Sequence, residues 1–298
     1  MTHPLESARL KIARARERLH EMDREAAAFL DTHPYVAVSD QDGDSDLFTL
    51  RCRVFQTPPI SLGMIAGDLA HNLRSALDHI VYQLAALGVA GEQGRGEKTQ
   101  FPIFDDIAKF ESWKPVYLKG VRDVDIDTLR ALQPLDDPDD LLLVLRNLDD
   151  RDKHRVVDAV VSIMGKVHLN WQTGTTIHEF IPAVPLDQHL NLDDGTKLGT
   201  YRATAIDGNV RVYTKIDPAL AFRFTEKRAV QVTEFPKMID TVAAIFAKFA
   251  DSFPPAHDAA PAGAAPAMGG SPSPPSDSPE SVPESPEPAS QPASEWNA

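Results

Sequence analysis

Apolar residues near the start of the chain recur at spacings of four and three: Ala8, Ile12, Ala15, Leu19, Met22, Ala26 and Phe29. That is the single stripe of an amphipathic helix. Arg9, Lys11, Arg14, Arg16, Glu17, Arg18, Glu21 and Arg24 fill the positions between and suit a solvated face. His33-Pro34 predicts its end, because a residue before proline is pushed out of the helical region. The pattern then changes period. YVAVSD and LFTLRCRVF flank DQDGDSD, and the second segment sets Leu47, Thr49, Arg51 and Arg53 against Phe48, Leu50, Cys52 and Val54. Alternation of two predicts a hairpin. Thr57-Pro58-Pro59 leads into a long helix from Ser61 to about Gly88, and GVAGEQGRGEKTQ after it reads as a mobile loop. FPIF and Trp113 read as irregular structure or a short helix against the bundle. IDTLRALQPL reads as a short helix stopped by Pro134. Asp139 or Asp140 can cap the leucine-rich DLLLVLRNLDDRDKHRVV.

Beyond Val156 the composition favours strands. VVDAVVSIMG reads as helix passing into strand, followed by VHLNW, TIHEFIPAV, YRATAI, VRVYTKI and LAFRF, with Asp207-Gly208 as a tight turn. FPKMIDTVAAIFAKFADSF then returns to helical spacing through Met238, Val242, Ile245, Phe246 and Phe249. Regular β-α alternation, the mark of a doubly wound sheet, is missing. The expected fold class is α+β. A folded region over 1–253 would comprise a helical bundle (1–156 and 225–253) and an antiparallel β-rich insertion (157–224) before the C-terminal helix. From Pro254 to Ala298 large apolar residues almost vanish, and this stretch holds half of the 24 prolines. Burial cannot offset the entropy of ordering it, so a disordered Pro/Ser-rich acidic tail is expected, able to serve a protein partner.

Charge narrows the partners. The net charge is −14, and six of those charges (Asp258, Asp277, Glu280, Glu284, Glu287 and Glu295) lie in the tail, leaving −8 on residues 1–253. An acidic body argues against tight nonspecific DNA binding. The N-terminus lacks the apolar run of a secretory signal, no stretch is apolar enough to span a membrane, and Cys52 is the lone cysteine. A cytoplasmic location is the simplest expectation.

The candidate chemistry lies on the long helix, in GDLAHNLRSALDHIVYQL. At about 100° per residue, Leu69, Leu73, Ala76, Leu77, Ile80 and Leu84 fall on one side. Asp68, His71, Asn72, Ser75, Asp78, His79 and Tyr82 fall opposite, with Arg74 at the edge, one turn before Asp78. Three readings fit this strip. It could be a structural seam in which Arg74 pairs with Asp78 and His71, Asn72 and His79 bond across an interface. It could hold a metal through Asp68, His71 or His79 with a residue from another helix. Or it could cleave phosphodiesters, Arg74 clamping phosphate and His79 moving a proton.

Arg74 to His79, RSALDH, resembles the R-x4-6-H signature of HEPN domains, which are helical bundles. The resemblance implies a metal-independent ribonuclease, without cofactor, whose arginine and histidine (here Arg74 and His79) act at the interface of a homodimer; RNA would then be the partner. Ser75 stands where such members carry Asn, Asp or His. The wider pattern, GDLAHNLRSALDHIVYQLA followed by TQFPIF and DKHR, is similar to an uncharacterised bacterial protein family and implies no function.

A second polar cluster, Asp149, Asp150, Asp152, Lys153, His154 and Arg155, closes the leucine-rich helix. It reads either as a charged helix end or as a wall of the same cleft. In the second case His154 and Arg155 would join His71, Asn72 and Asp78 in holding substrate, and Asp152 could ligate metal. Asp40, Asp42, Asp44 and Asp46 resemble the start of a calcium loop, but the later glutamate is missing, so a solvated turn is expected. His168, His178 and His189 lack ligand-like spacing. A phosphate-binding glycine loop, a paired-cysteine zinc motif and GxSxG are absent from the sequence.

Overall fold

The computed structural model of the chain describes residues 3–88, 96–135, 137, 139–164, 167–184 and 189–253. The expectations for the tail at 254–298, and for most of the glycine-rich loop after the long helix, lie outside these residues.

Helix α1 (Glu6–Leu30) buries Ala8, Ile12, Ala15, Met22, Ala26 and Phe29. Its outer face carries i,i+3 pairs, Arg14–Glu17 and Arg18–Glu21 among them. His33 follows with a positive φ of 52°. Strands β1 (Tyr35–Gln41) and β2 (Leu47–Val54) form the expected hairpin, with Tyr35 opposite Val54 and Gln41 opposite Phe48. Its acidic turn has cationic neighbours: Asp46 pairs with Arg202 at 2.5 Å and Asp40 with Arg51 at 3.7 Å.

Helix α2 (Ile60–Gly88) is the central element. Leu69, Leu73, Ala76, Leu77, Ile80 and Leu84 are all fully buried, and α2 packs against α1 and against α5 (Leu141–Asp152). Between them run α3 (Ile107–Tyr117) and α4 (Asp123–Ala131). Trp113 therefore belongs to a helix. Asp140 caps α5 by accepting from the Leu142 amide at 2.7 Å. The helix stops at Asp152, earlier than the apolar pattern suggests, and the described part of VVDAVVSIMG, residues 156–164, contains no helix. Asp158–Met164 is strand β3 throughout, because its backbone pairs with a distant strand rather than with its own preceding turn.

The remaining strands are β4 (Val167–Trp171), β5 (Thr175–Pro182), β6 (His189–Asn191), β7 (Lys197–Ala205), β8 (Val212–Ile216), β9 (Ala219–Arg223) and β10 (Ala229–Gln231). A short 3-10 turn leads from β10 into α6 (Phe235–Ala250), which buries Phe235, Met238, Ile239, Val242, Ile245 and Phe249. The fold is α+β, and every described strand pairing is antiparallel. The sheet orders are β1-β2-β7-β5, β10-β9-β3-β6 and β4-β8. The first sheet draws from both sides of residue 157, since Leu47 of β2 pairs with Arg202 of β7. None of the described helices is long and apolar enough to cross a membrane.

Candidate functional site

The polar residues of α2 do not form one cluster; they divide among three neighbours. The first is the irregular segment Phe101–Phe104. Arg74 Nη2 lies 3.1 Å from Asp78 Oδ1, with only 11% of the Arg74 side chain exposed. The same Asp78 oxygen accepts from the Phe101 amide at 2.8 Å. Gln133 and Arg146 hold the rest of the segment. Gln133 Oε1 accepts from the Phe104 amide at 3.0 Å, and its Nε2 donates to the Pro102 carbonyl at 3.1 Å. Arg146 Nη1 donates to the Ile103 carbonyl at 2.9 Å. A non-helical segment must find partners for its backbone groups when it is buried. Phe101 and Ile103 are buried, and these three side chains supply the partners. RSALDH and TQFPIF are thus physically coupled. Burial pushes the Asp78 carboxyl above its ordinary range, against the opposing pull of Arg74 and the Phe101 amide.

The second neighbour is the C-terminal end of α5. Exposed His71 points Nδ1 at Asp149 Oδ1, 3.2 Å away, while the Asp149 side chain is only 2% exposed. Lys153 Nζ holds the other Asp149 oxygen at 2.7 Å. Burial works to lower the Lys153 pKa, but the hydrogen bond and charge of Asp149 override it, so the net shift is upward. Asp152 lies nearby, raised by burial and then by the charges of Asp68 and Asp149, with His71 opposing. Two glycines make this approach possible. A Cβ on Gly63 would stand 1.9 Å from the Val157 carbonyl oxygen, and one on Gly67 would stand 2.0 Å from Asp152 Oδ1.

The third neighbour is α1. His79 is half-buried, and its Nδ1 is buried without a hydrogen-bond partner among the described residues. Burial holds the ring below the ordinary histidine pKa of 6.5, the nearby Lys11 charge adds to the effect, and Asp78 partly opposes it. The sign for stability follows. Folding favours the neutral ring, so its contribution is complete above 6.5 and is lost as pH falls through the lowered folded value. Asp78 and Asp152, raised from 3.8, act in the opposite sense at lower pH: their contribution is complete below 3.8 and fades as pH rises through their raised values. The urea midpoint is expected to fall between about pH 7.5 and about pH 5.5, and His79→Gln is expected to flatten that slope. An unchanged slope in His79→Gln would remove His79 from the account.

The sequence candidates are therefore only partly united. Arg74 and His79 are five helix positions apart, which separates them by about 140° around the axis; one is paired with Asp78 and the other faces Lys11. Asn72 turns back onto its own helix, donating to the Asp68 carbonyl at 2.7 Å. His154 and Arg155 stay away from the α2 strip. Arg155 pairs with Glu226 at 2.7 Å, and His154 shares a shallow depression with Glu226 and Thr225. Among the described residues, no group of three or more His, Cys, Asp or Glu side chains is placed to hold a metal ion. Asp68, His71 and His79 accordingly do not converge as ligands.

Sequence reasoning missed Gly63 and Gly67, although a glycine pair four positions apart on a helix is a sign of close backbone approach. It also missed a chain of contacts from Asp149 through His71 to Ser75, whose Oγ lies 3.4 Å from His71 Nε2. This follows the acid–imidazole–hydroxyl order of a nucleophilic site. The amides around Ser75 are committed to the interior of α2, however, so they offer no donor pair to a developing oxyanion. The chain fixes the His71 ring. Comparison with protein-family models, with curated proteins and with solved structures finds no match.

Proposed function

We propose that this protein acts by association, and that the outward stripe of α2 is the docking face for the same helix of a second copy. The observation that carries this reading is the exposure pattern. Ile60 is 70% exposed, Met64 56% and Tyr82 41%. With Asp68, His71 and Ser75 they fall within an arc of about 80°. In an antiparallel pairing about a two-fold axis at His71, Ile60 of one copy would face Tyr82 of the other, eleven positions on either side of the axis. The stripe is thus self-complementary, apolar towards both ends and polar at the centre, as a two-fold interface requires. The buried polar contacts of Arg74, Asp78 and Asp149 brace the helix that presents it. Sedimentation equilibrium of the full chain is expected to give twice 32.7 kDa. Met64→Glu is expected to give the monomer mass while the chain stays folded, with its melting temperature lowered only by the loss of the dimer linkage. A wild-type monomer at about 100 μM, where even weak interfaces fill, would overturn the reading. The proposal keeps the chain in the cytoplasm, needs no cofactor, expects no tight binding to arbitrary duplex DNA, and leaves the Pro-rich tail to a protein partner.

One observation favours a second reading, an HEPN-like ribonuclease. Among the described residues, Arg74 Nη1 and His79 Nδ1 are both buried without a hydrogen-bond partner, leaving one donor for phosphate and one ring nitrogen for proton transfer. Cleavage of single-stranded RNA would then survive chelation. It would fall at least tenfold in Arg74→Ala and in His79→Ala, about 1.4 kcal/mol in barrier terms, while both variants stay folded. No cleavage across a broad RNA panel would end this reading.

A further inference from the structure

Strand β3 is covered unequally on its two edges. Against β9 it is paired from Asp158 to Ser162, while β6 reaches only Ser162 to Met164. The Leu192 amide extends that second edge by one bond, donating to the Val161 carbonyl at 2.8 Å. Backbone groups of a strand alternate between edges with a period of two. Ala159 therefore presents its N–H and C=O on the same edge as Val161, and no described strand covers it there. An uncovered strand edge is a template for another extended chain.

This edge opens into a groove of about 1070 Å³. Its far wall is the extended link from Val54 to Pro59 and the last turns of α1. Phe55, 67% exposed, and Pro59 offer apolar surface across from Ala159 and Val161. Among the lining residues three carboxylates, Glu25, Asp193 and Asp194, outnumber the one cation, Arg223, although Arg53 also lies 3.7 Å from Asp194. Glu25 is engaged by the Ser61 hydroxyl at 2.6 Å, and Asp194 accepts from the Val54 amide at 3.0 Å. Asp193 is exposed, and among the described residues its carboxylate accepts no hydrogen bond.

We propose that this groove binds a peptide in extended conformation, which adds as a strand to the free edge of β3 at Ala159. One apolar side chain of the peptide sets against Phe55 and Pro59, and a Lys or Arg on the alternate face meets Asp193 and Asp194. Main-chain bonds supply the affinity, and the two side-chain environments supply the selection. The groove borders the stripe on α2, since Pro59 immediately precedes Ile60, but the β3 edge and the groove's carboxylates are not part of that stripe.

The test uses full-length protein and fluorescein-labelled nonapeptides that alternate valine and lysine, read by anisotropy. The valine–lysine peptide is expected to saturate in the range of about 10–100 μM, a typical weak recognition affinity. Replacing its lysines with glutamates is expected to weaken binding at least tenfold. N-methylation at alternate amides should abolish binding in one register and spare it in the other, because only one edge of the peptide faces β3. Phe55→Ala and Asp193→Asn, both at exposed positions, should each weaken binding at least fivefold without moving the melting temperature. Binding that is equal for lysine and glutamate peptides, indifferent to methylation, or absent at about 1 mM would overturn the proposal. Binding that disappears with salt but ignores methylation would reduce the groove to a charged surface and would equally overturn strand addition.

Discussion

Gly63→Ala is expected to destabilise the fold by about 2 kcal/mol or more. Alanine is the better helix former by about 1 kcal/mol, so an unconstrained glycine in α2 would show a gain. Here the added Cβ meets the Val157 carbonyl oxygen at 1.9 Å and its carbon at 3.1 Å. Both are backbone atoms at the point where the chain leaves α5 for β3. They can yield only if α2 and that crossing separate, and overpacking of this kind costs typically about 1–3 kcal/mol, occasionally more. Gly67→Ala provides the contrast. Its Cβ meets Asp152 Oδ1 at 2.0 Å, the end of a partly exposed side chain that can rotate away. Urea titrations should show a large fall in midpoint for Gly63→Ala and a small change for Gly67→Ala. A stabilised Gly63→Ala would show that the two backbones do not pack this closely.

Leu77→Ala is the second large effect, about 2–5 kcal/mol. Leu77 is fully buried at the middle of the inner face of α2, with Leu73, Ile80 and Val81 also at 0% exposure. Its removal leaves a cavity in a fully buried part of the core, where the surroundings can relax only partly. Chemical denaturation should register the loss with little change in the slope against urea. Near-native stability would mean that the inner face has been assigned to the wrong side of the helix.

The elements the sequence displays best are those with strong local periodicity. The apolar stripes of α1, α2 and α6 and the alternation in β2 each repeat within a few residues, so they could be read without tertiary information. The tight turn at Asp207-Gly208 was legible from that residue pair, and Gly208 has a φ of 74°, although the strands it joins, β7 and β8, pair with other strands. Strands β6 and β10, three residues each, carry too little pattern to stand out. The helix-to-strand change near residue 153 was misplaced because DKHRVV suits either state, and the decision comes from pairing with β9. The candidate site was legible as a helix face but not as a set of contacts. The 100° step showed that Asp68, His71 and Asp78 share a side. It could not show that Asp78 binds the Phe101 amide, 23 positions away, or that His71 meets Asp149, 78 positions away. The exposed Ile60 and Met64 were hidden by their own chemistry. In an apolar helix start they look like core, and only the packing reveals which apolar positions remain uncovered.

The central claim, that α2 presents a self-complementary face to a second copy, is tested most directly by a cysteine at the proposed two-fold axis. Cys52 is buried, so a single His71→Cys substitution adds one accessible thiol. Helices packed face to face lie about 8–10 Å apart, within reach of a short bis-maleimide. The account predicts a covalent dimer from His71→Cys at micromolar protein. It predicts none from Asp150→Cys, an exposed position on α5 outside the stripe (60% of the Asp150 side chain is accessible). Failure of His71→Cys to crosslink, or equal crosslinking of the two variants, would contradict it.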